Sequence, residues 1–189
     1  MAFRPVYRPD DPQWAVSTGN PAGPELLAKF LNPNKGTATK ASDGHAIPVV
    51  GVPIATGESF ERGVLVQLDN DDKAVVLPGV TSRTYGVALE EVVAGASLGV
   101  RTSRVSLALA QYTDVERTNK TIYTRFATKD VNGTVPTTAH VGARRGIGLS
   151  GGEWFIDIAE TVETQLEVVG IDTARNEYIV CFNEDSVQA

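Results

Sequence analysis

Eight of the ten prolines in this chain lie within residues 1–53; the other two are Pro78 and Pro136. Each proline removes a backbone donor, fixes φ and pushes the residue before it out of the helical region. A segment interrupted at Pro5, Pro9, Pro12, Pro21, Pro24 and Pro33 cannot form a long helix or a central strand. Residues 1–58 therefore read as an extended arm. One short helix is expected at 24–31. Pro24 suits the first helical position, Glu25 favours the helix N-terminus, and Leu26, Leu27, Phe30 and Leu31 form one apolar stripe. Asn32-Pro33 stops it. Two turns of helix are marginal alone in water, so the stripe must dock on something.

The arm differs from a flexible linker in its side chains. Linkers lack large residues, whereas this segment carries Phe3, Tyr7, Trp14 and Phe30. Four aromatics in a stretch too proline-rich for its own core are candidate partner-binding anchors, together with Leu27. The competing reading is that the arm wraps over its own body.

From residue 59 the apolar period becomes two. Gly63-Val-Leu-Val-Gln-Leu68 reads as a strand, 69–73 as a polar turn and 74–77 as the returning strand. Further strands are expected at 85–89, 97–101, 105–109, 122–126, 154–158, 165–171 and 177–182. A polar stretch at 111–121 and turns at 129–133 and 172–176 separate some of them. So many short strands with almost no helical period predict an all-β chain. The expected fold is a small β-barrel or sandwich body with a long extended N-terminal arm containing one short helix. The body would span 59–189, with a barrel core at 59–110. Residues 111–189 would add hairpins, the last of them strongly acidic.

Charge is segregated as well. Residues 150–189 hold nine acidic side chains against Arg175 alone, a net −8 in a chain of net −6, which leaves +2 for the rest. That balance argues against duplex nucleic acid as the main partner, because phosphate binding needs concentrated Lys and Arg. The acidic end reads as a solvated face, or as a patch that meets a basic partner. Cys181 is the single cysteine, which excludes an internal disulfide and cysteine-rich zinc sites. No apolar run approaches membrane-spanning length, and Met-Ala-Phe-Arg-Pro lacks the apolar core of a signal peptide.

The chemistry-bearing motifs are weak. Gly148-Leu-Ser-Gly-Gly152 matches the nucleophile elbow G-x-S-x-G, but a strand follows it, and both His45 and His140 precede Ser150. A chymotrypsin-like order fails too, since no Asp lies between His140 and Ser150. Gly146-Ile-Gly-Leu-Ser-Gly151 matches G-x-G-x-x-G without a following helix, so a glycine-rich hairpin connection is the better reading. Asp69, Asp71 and Asp72 lack the Gly and Glu of a calcium loop. No catalytic residue, metal or cofactor is expected.

Residues 45–110 resemble the small β-barrel of tailed-bacteriophage capsid decoration (cement) proteins. The resemblance is carried by Ile47-Pro-Val-Val-Gly-Val52, Gly63-Val-Leu-Val-Gln-Leu68 and Tyr85-Gly-Val-Ala-Leu-Glu90. It continues through Ala94-Gly-Ala-Ser-Leu-Gly-Val100 and Val105-Ser-Leu-Ala-Leu109. It implies a non-enzymatic virion protein on the capsid outer surface, made in the host cytoplasm. Its implied partners are the major capsid protein and further copies of itself, with a trimer favoured and neither nucleic acid nor membrane involved. A tail or baseplate adaptor and an all-β carbohydrate-binding module are the alternatives.

Overall fold

The computed structural model describes residues 3–5, 49–93, 104–114 and 120–188. The predicted helix at 24–31 and strand at 97–101 lie outside them.

Five strands form one antiparallel sheet: β2 (Val49–Pro53), β3 (Leu65–Leu68), β4 (Ala74–Val76), β5 (Gly86–Ala88) and β6 (Arg104–Leu109), in the order β2-β6-β5-β3-β4. The short central strand β5 is buried along its whole length, which its run of small and apolar residues permits. The sheet curls into a half-barrel. A bridge between Ile54 and Ala74 brings its two ends together, and Ala55 N–H donates to Ala74 O at 3.1 Å. The β3–β4 turn is held by Asp69, whose carboxylate accepts the N–H groups of Asp71 and Lys73, both at 2.9 Å. Those bonds, the one from Lys73 first, hold the Asp69 carboxyl below the usual range.

The second sheet has six strands. β1 (Arg4–Pro5), β9 (Phe126–Thr128), β10 (Arg144–Ser150), β11 (Glu153–Asp157), β12 (Leu166–Asp172) and β13 (Glu177–Phe182) run in the order β1-β9-β13-β12-β10-β11. Alternation is clearest in β13, which buries Tyr178, Val180 and Phe182 and turns Glu177, Ile179 and Cys181 outward. A bulge between Val168 and Gly170 shifts the register of β12 against β13. The predicted strand at 122–126 is broken at 124–125, and the predicted polar stretch at 111–121 holds strand residues of its own. β7 (Gln111–Asp114) and β8 (Lys120–Tyr123) form a separate hairpin, and the chain then turns into β9 as Thr124 N–H donates to Ala110 O at 2.9 Å.

The two sheets share one core. Leu65, Val87 and Leu107 from the half-barrel join Ile156, Leu166 and Val180 from the second sheet. The C-terminal segment fastens the seam. After a 3-10 turn at Glu184–Ser186, Thr84 N–H donates to Ser186 O at 2.8 Å and Gln188 N–H to Thr84 O at 3.0 Å. The Gln188 amide then bonds both the N–H and the C=O of Leu68, at 2.7 and 2.9 Å. The chain is all-β, as its periodicity predicts. Both sheets nevertheless take residues from the predicted arm. β2 precedes position 59, and β1 comes from the first five residues.

Candidate functional site

The arm is the predicted site, and its first anchor lies at the seam between the sheets. Phe3 is 1% exposed. Its ring centroid stands 5.9 Å from that of Phe182 and 6.4 Å from that of Phe126, the latter edge-to-face. Phe3 N–H donates to Gly63 O at 3.3 Å, Arg4 and Pro5 pair with Ala127 and Phe126, and the Arg4 guanidinium forms an ion pair with Glu177. Phe3, predicted as a partner-binding residue, is therefore a core residue of its own chain. Burying a phenylalanine is worth about 1.5–3 kcal/mol, more than a solvent-facing anchor returns before its partner arrives. The other predicted anchors, Tyr7, Trp14, Leu27 and Phe30, lie outside the described residues. Residues 6–48 are thus flanked by β1 in one sheet and β2 in the other.

No periodicity could have revealed Phe3. β1 is only two residues long, and its partner strand lies more than a hundred positions away. The one available signal was a large apolar side chain just before Arg-Pro.

A second cluster gathers Asp130, His140 and Tyr178. Asp130, 5% exposed, accepts from Asn132 N–H at 3.0 Å and Thr134 N–H at 2.9 Å through Oδ2, and from Ile158 N–H at 2.8 Å through Oδ1. One carboxylate thereby ties the loop after β9 to the end of β11. Tyr178 Oη lies 3.3 Å from Thr134 O and 3.0 Å from His140 Nδ1, with the two ring centroids 5.6 Å apart and the planes tilted by 32°. Thr137 N–H lies 3.4 Å from the same Nδ1. Burial pushes the Tyr178 phenol up, with Asp130 adding to the effect and Arg145 opposing it. A phenol held neutral and a carboxylate bonded to three backbone donors make this a device for fixing the 130–142 loop. The sequence marked His140 only as a member of a serine-hydrolase pattern.

The glycine motif has a packing reason. Gly151 and Gly152, at φ of 59° and 84°, form the two-residue turn between β10 and β11, which needs positive φ at both positions. Ser150 closes β10 opposite Glu153, and a strand follows where an elbow requires a helix. The spacing Gly146-x-Gly148 admits two loops against β10. A Cβ on Gly148 would stand 2.8 Å from Val131 Cβ, and one on Gly146 would stand 2.9 Å from Glu163 O.

Much of the acidic end is likewise structural. Besides Glu177, Asp157 accepts from Ala159 N–H at 3.0 Å and Asp172 from Arg175 N–H at 3.1 Å. Glu160 accepts from Val162 N–H at 2.6 Å and Glu163 N–H at 3.1 Å; these bonds lower its carboxyl, Val162 first. Cys181 is partly buried and its thiol is pushed up, first by burial and then by Glu167. Trp154 is 2% exposed and presents no face on which a sugar could stack. Among the described residues, no group of three or more His, Cys, Asp or Glu could hold a metal, and no helix is long and apolar enough to cross a membrane.

The half-barrel edges are capped by side chains. Arg104 Nη2 donates to Gly51 O at 2.6 Å on β2, and the Glu58 carboxylate accepts Val76 N–H at 3.1 Å on β4. Such caps occupy groups that an added strand would use. Comparison of the chain with known protein families, curated proteins and solved structures gave no match.

Proposed function

We propose that this chain is a non-enzymatic virion protein that binds the outer surface of a tailed-phage capsid and bridges subunits of the major capsid protein. The arm segment bearing Tyr7, Trp14, Leu27 and Phe30 grips the capsid or neighbouring copies, and the β body oligomerises, with a trimer favoured. One observation carries the reading. An aromatic, proline-rich segment of 43 residues, 6–48, is fixed at each end in a different sheet of one packed body. Tethering both ends limits the freedom such a segment loses on ordering against a partner. Repetition over a shell adds multivalency, so a modest contact per copy suffices. The resemblance of residues 45–110 to decoration proteins points the same way, and the capped barrel edges favour the arm over strand addition as the gripping element.

The carbohydrate-binding alternative loses its best platform with Trp154 in the core. The deciding experiment incubates the protein with shells of its phage prepared without it. Saturable cosedimentation in fixed ratio to the major capsid protein is expected. No cosedimentation, together with binding to a glycan array or to isolated tails, would replace the reading with one of its alternatives.

A further inference from the structure

The slot that holds Phe3 has the form of a peptide-binding site. Its walls are the Phe126 and Phe182 rings, its floor bonds are the Gly63 carbonyl and the open edge of β9, and Glu177 waits at its rim for a cation. Its occupant is a three-residue segment, Phe-Arg-Pro, joined to the rest of the body only through residues 6–48. Each residue has a distinct part. Phe3 fills the aromatic gap, Arg4 supplies the charge, and Pro5, lacking an N–H, ends the short strand without leaving a donor.

We infer that this slot accepts the Phe3–Pro5 segment of a second copy of the chain, so that neighbouring subunits exchange their N-terminal strands. Every contact the segment makes is to side chains and backbone that all copies share, so exchange conserves them and is symmetric. What ties the segment to its own chain is the covalent link through residues 6–48. That link has 43 residues and a contour on the order of 140 Å, enough to reach an adjacent molecule. Copies held side by side on a surface bring further Phe3–Pro5 segments within that reach. The inference deepens the proposed gripping of neighbours by the arm and rests on that reading for its setting. It is testable on the isolated protein.

The test uses the ladder position where Arg4 faces Ala127. Directly opposed residues in an antiparallel pair are close enough for a disulfide. Full-length chains carrying Arg4→Cys alone and Ala127→Cys alone, both with Cys181→Ser, are mixed at high concentration and oxidised. Exchange yields a disulfide-linked dimer, and adding Phe3→Ala to the first chain lowers its yield by at least about tenfold. A mixture that stays monomeric, while the doubly substituted single chain closes its internal disulfide, would overturn the inference. If the double variant does not close, a labelled peptide of residues 1–8 is titrated into full-length Phe3→Ala protein. Saturable binding that is lost when the peptide carries Phe3→Ala supports the site, and its absence sinks it. Failure here with intact capsid cosedimentation would remove strand exchange and leave the proposed function standing.

Discussion

Phe3 and Asp130 hold more structure together than their surroundings in the chain imply. Phe3→Ala empties an aromatic gap at the seam and should cost about 3–4 kcal/mol in urea denaturation. Asp130→Ala strands three backbone donors and should cost about 2–4 kcal/mol, with Asp130→Asn between it and the native chain. Tyr178 gives the pH dependence. Its phenol titrates higher folded than unfolded, so its contribution is complete below the ordinary tyrosine value near 10.0 and is lost as pH rises through the folded value. The denaturation midpoint should therefore fall at alkaline pH, and Tyr178→Phe should flatten part of that fall. Tyr85 and Tyr123, also raised chiefly by burial, account for further slope. None of these three roles was legible in the sequence. A lone Phe, an Asp before Val-Asn-Gly and a Tyr in a strand acquire their importance from partners brought together only by the fold.

Elements show where sequence periodicity suffices and where it fails. β13 is expected at its observed limits, 177–182, because a β-branched and aromatic apolar run there follows a turn signal at 172–176. The β3–β4 turn was equally plain, since its Asp-rich stretch can only be a solvated turn. β10 is hidden by its glycines, because 146–151 reads as a glycine-rich hairpin connection, of which only Gly151 and Gly152 form the turn. Gly146 and Gly148 are there because Val131 and the 160–163 loop pass over the strand. Gly148→Ala should thus destabilise by about 1–3 kcal/mol through overpacking, and Val131→Ala in the same chain should recover part of the loss. A denaturant double-mutant cycle measures that coupling; zero coupling would refute the packing explanation. β7 and the start of β8 read as a polar stretch because a two-stranded ribbon lacks an apolar face of the usual strength.

At the scale of the molecule, the division into arm and body needs redrawing. Half-barrel and six-stranded sheet share one core, and both Phe3 and Val187 belong to it. The segment left for a partner, 6–48, is therefore flanked by two strands of the body, whereas the sequence reads as one extended N-terminal arm over 1–58. Its aromatics are the proposed gripping residues, and one measurement addresses them directly. The native protein and the variant carrying Tyr7→Ala, Trp14→Ala, Leu27→Ala and Phe30→Ala are sedimented with capsid shells lacking the protein, after both are shown to unfold at the same urea concentration. The account predicts saturable binding by the native chain and at least about a tenfold weaker association of the variant. Equal binding by the two proteins, or none by either, would contradict it.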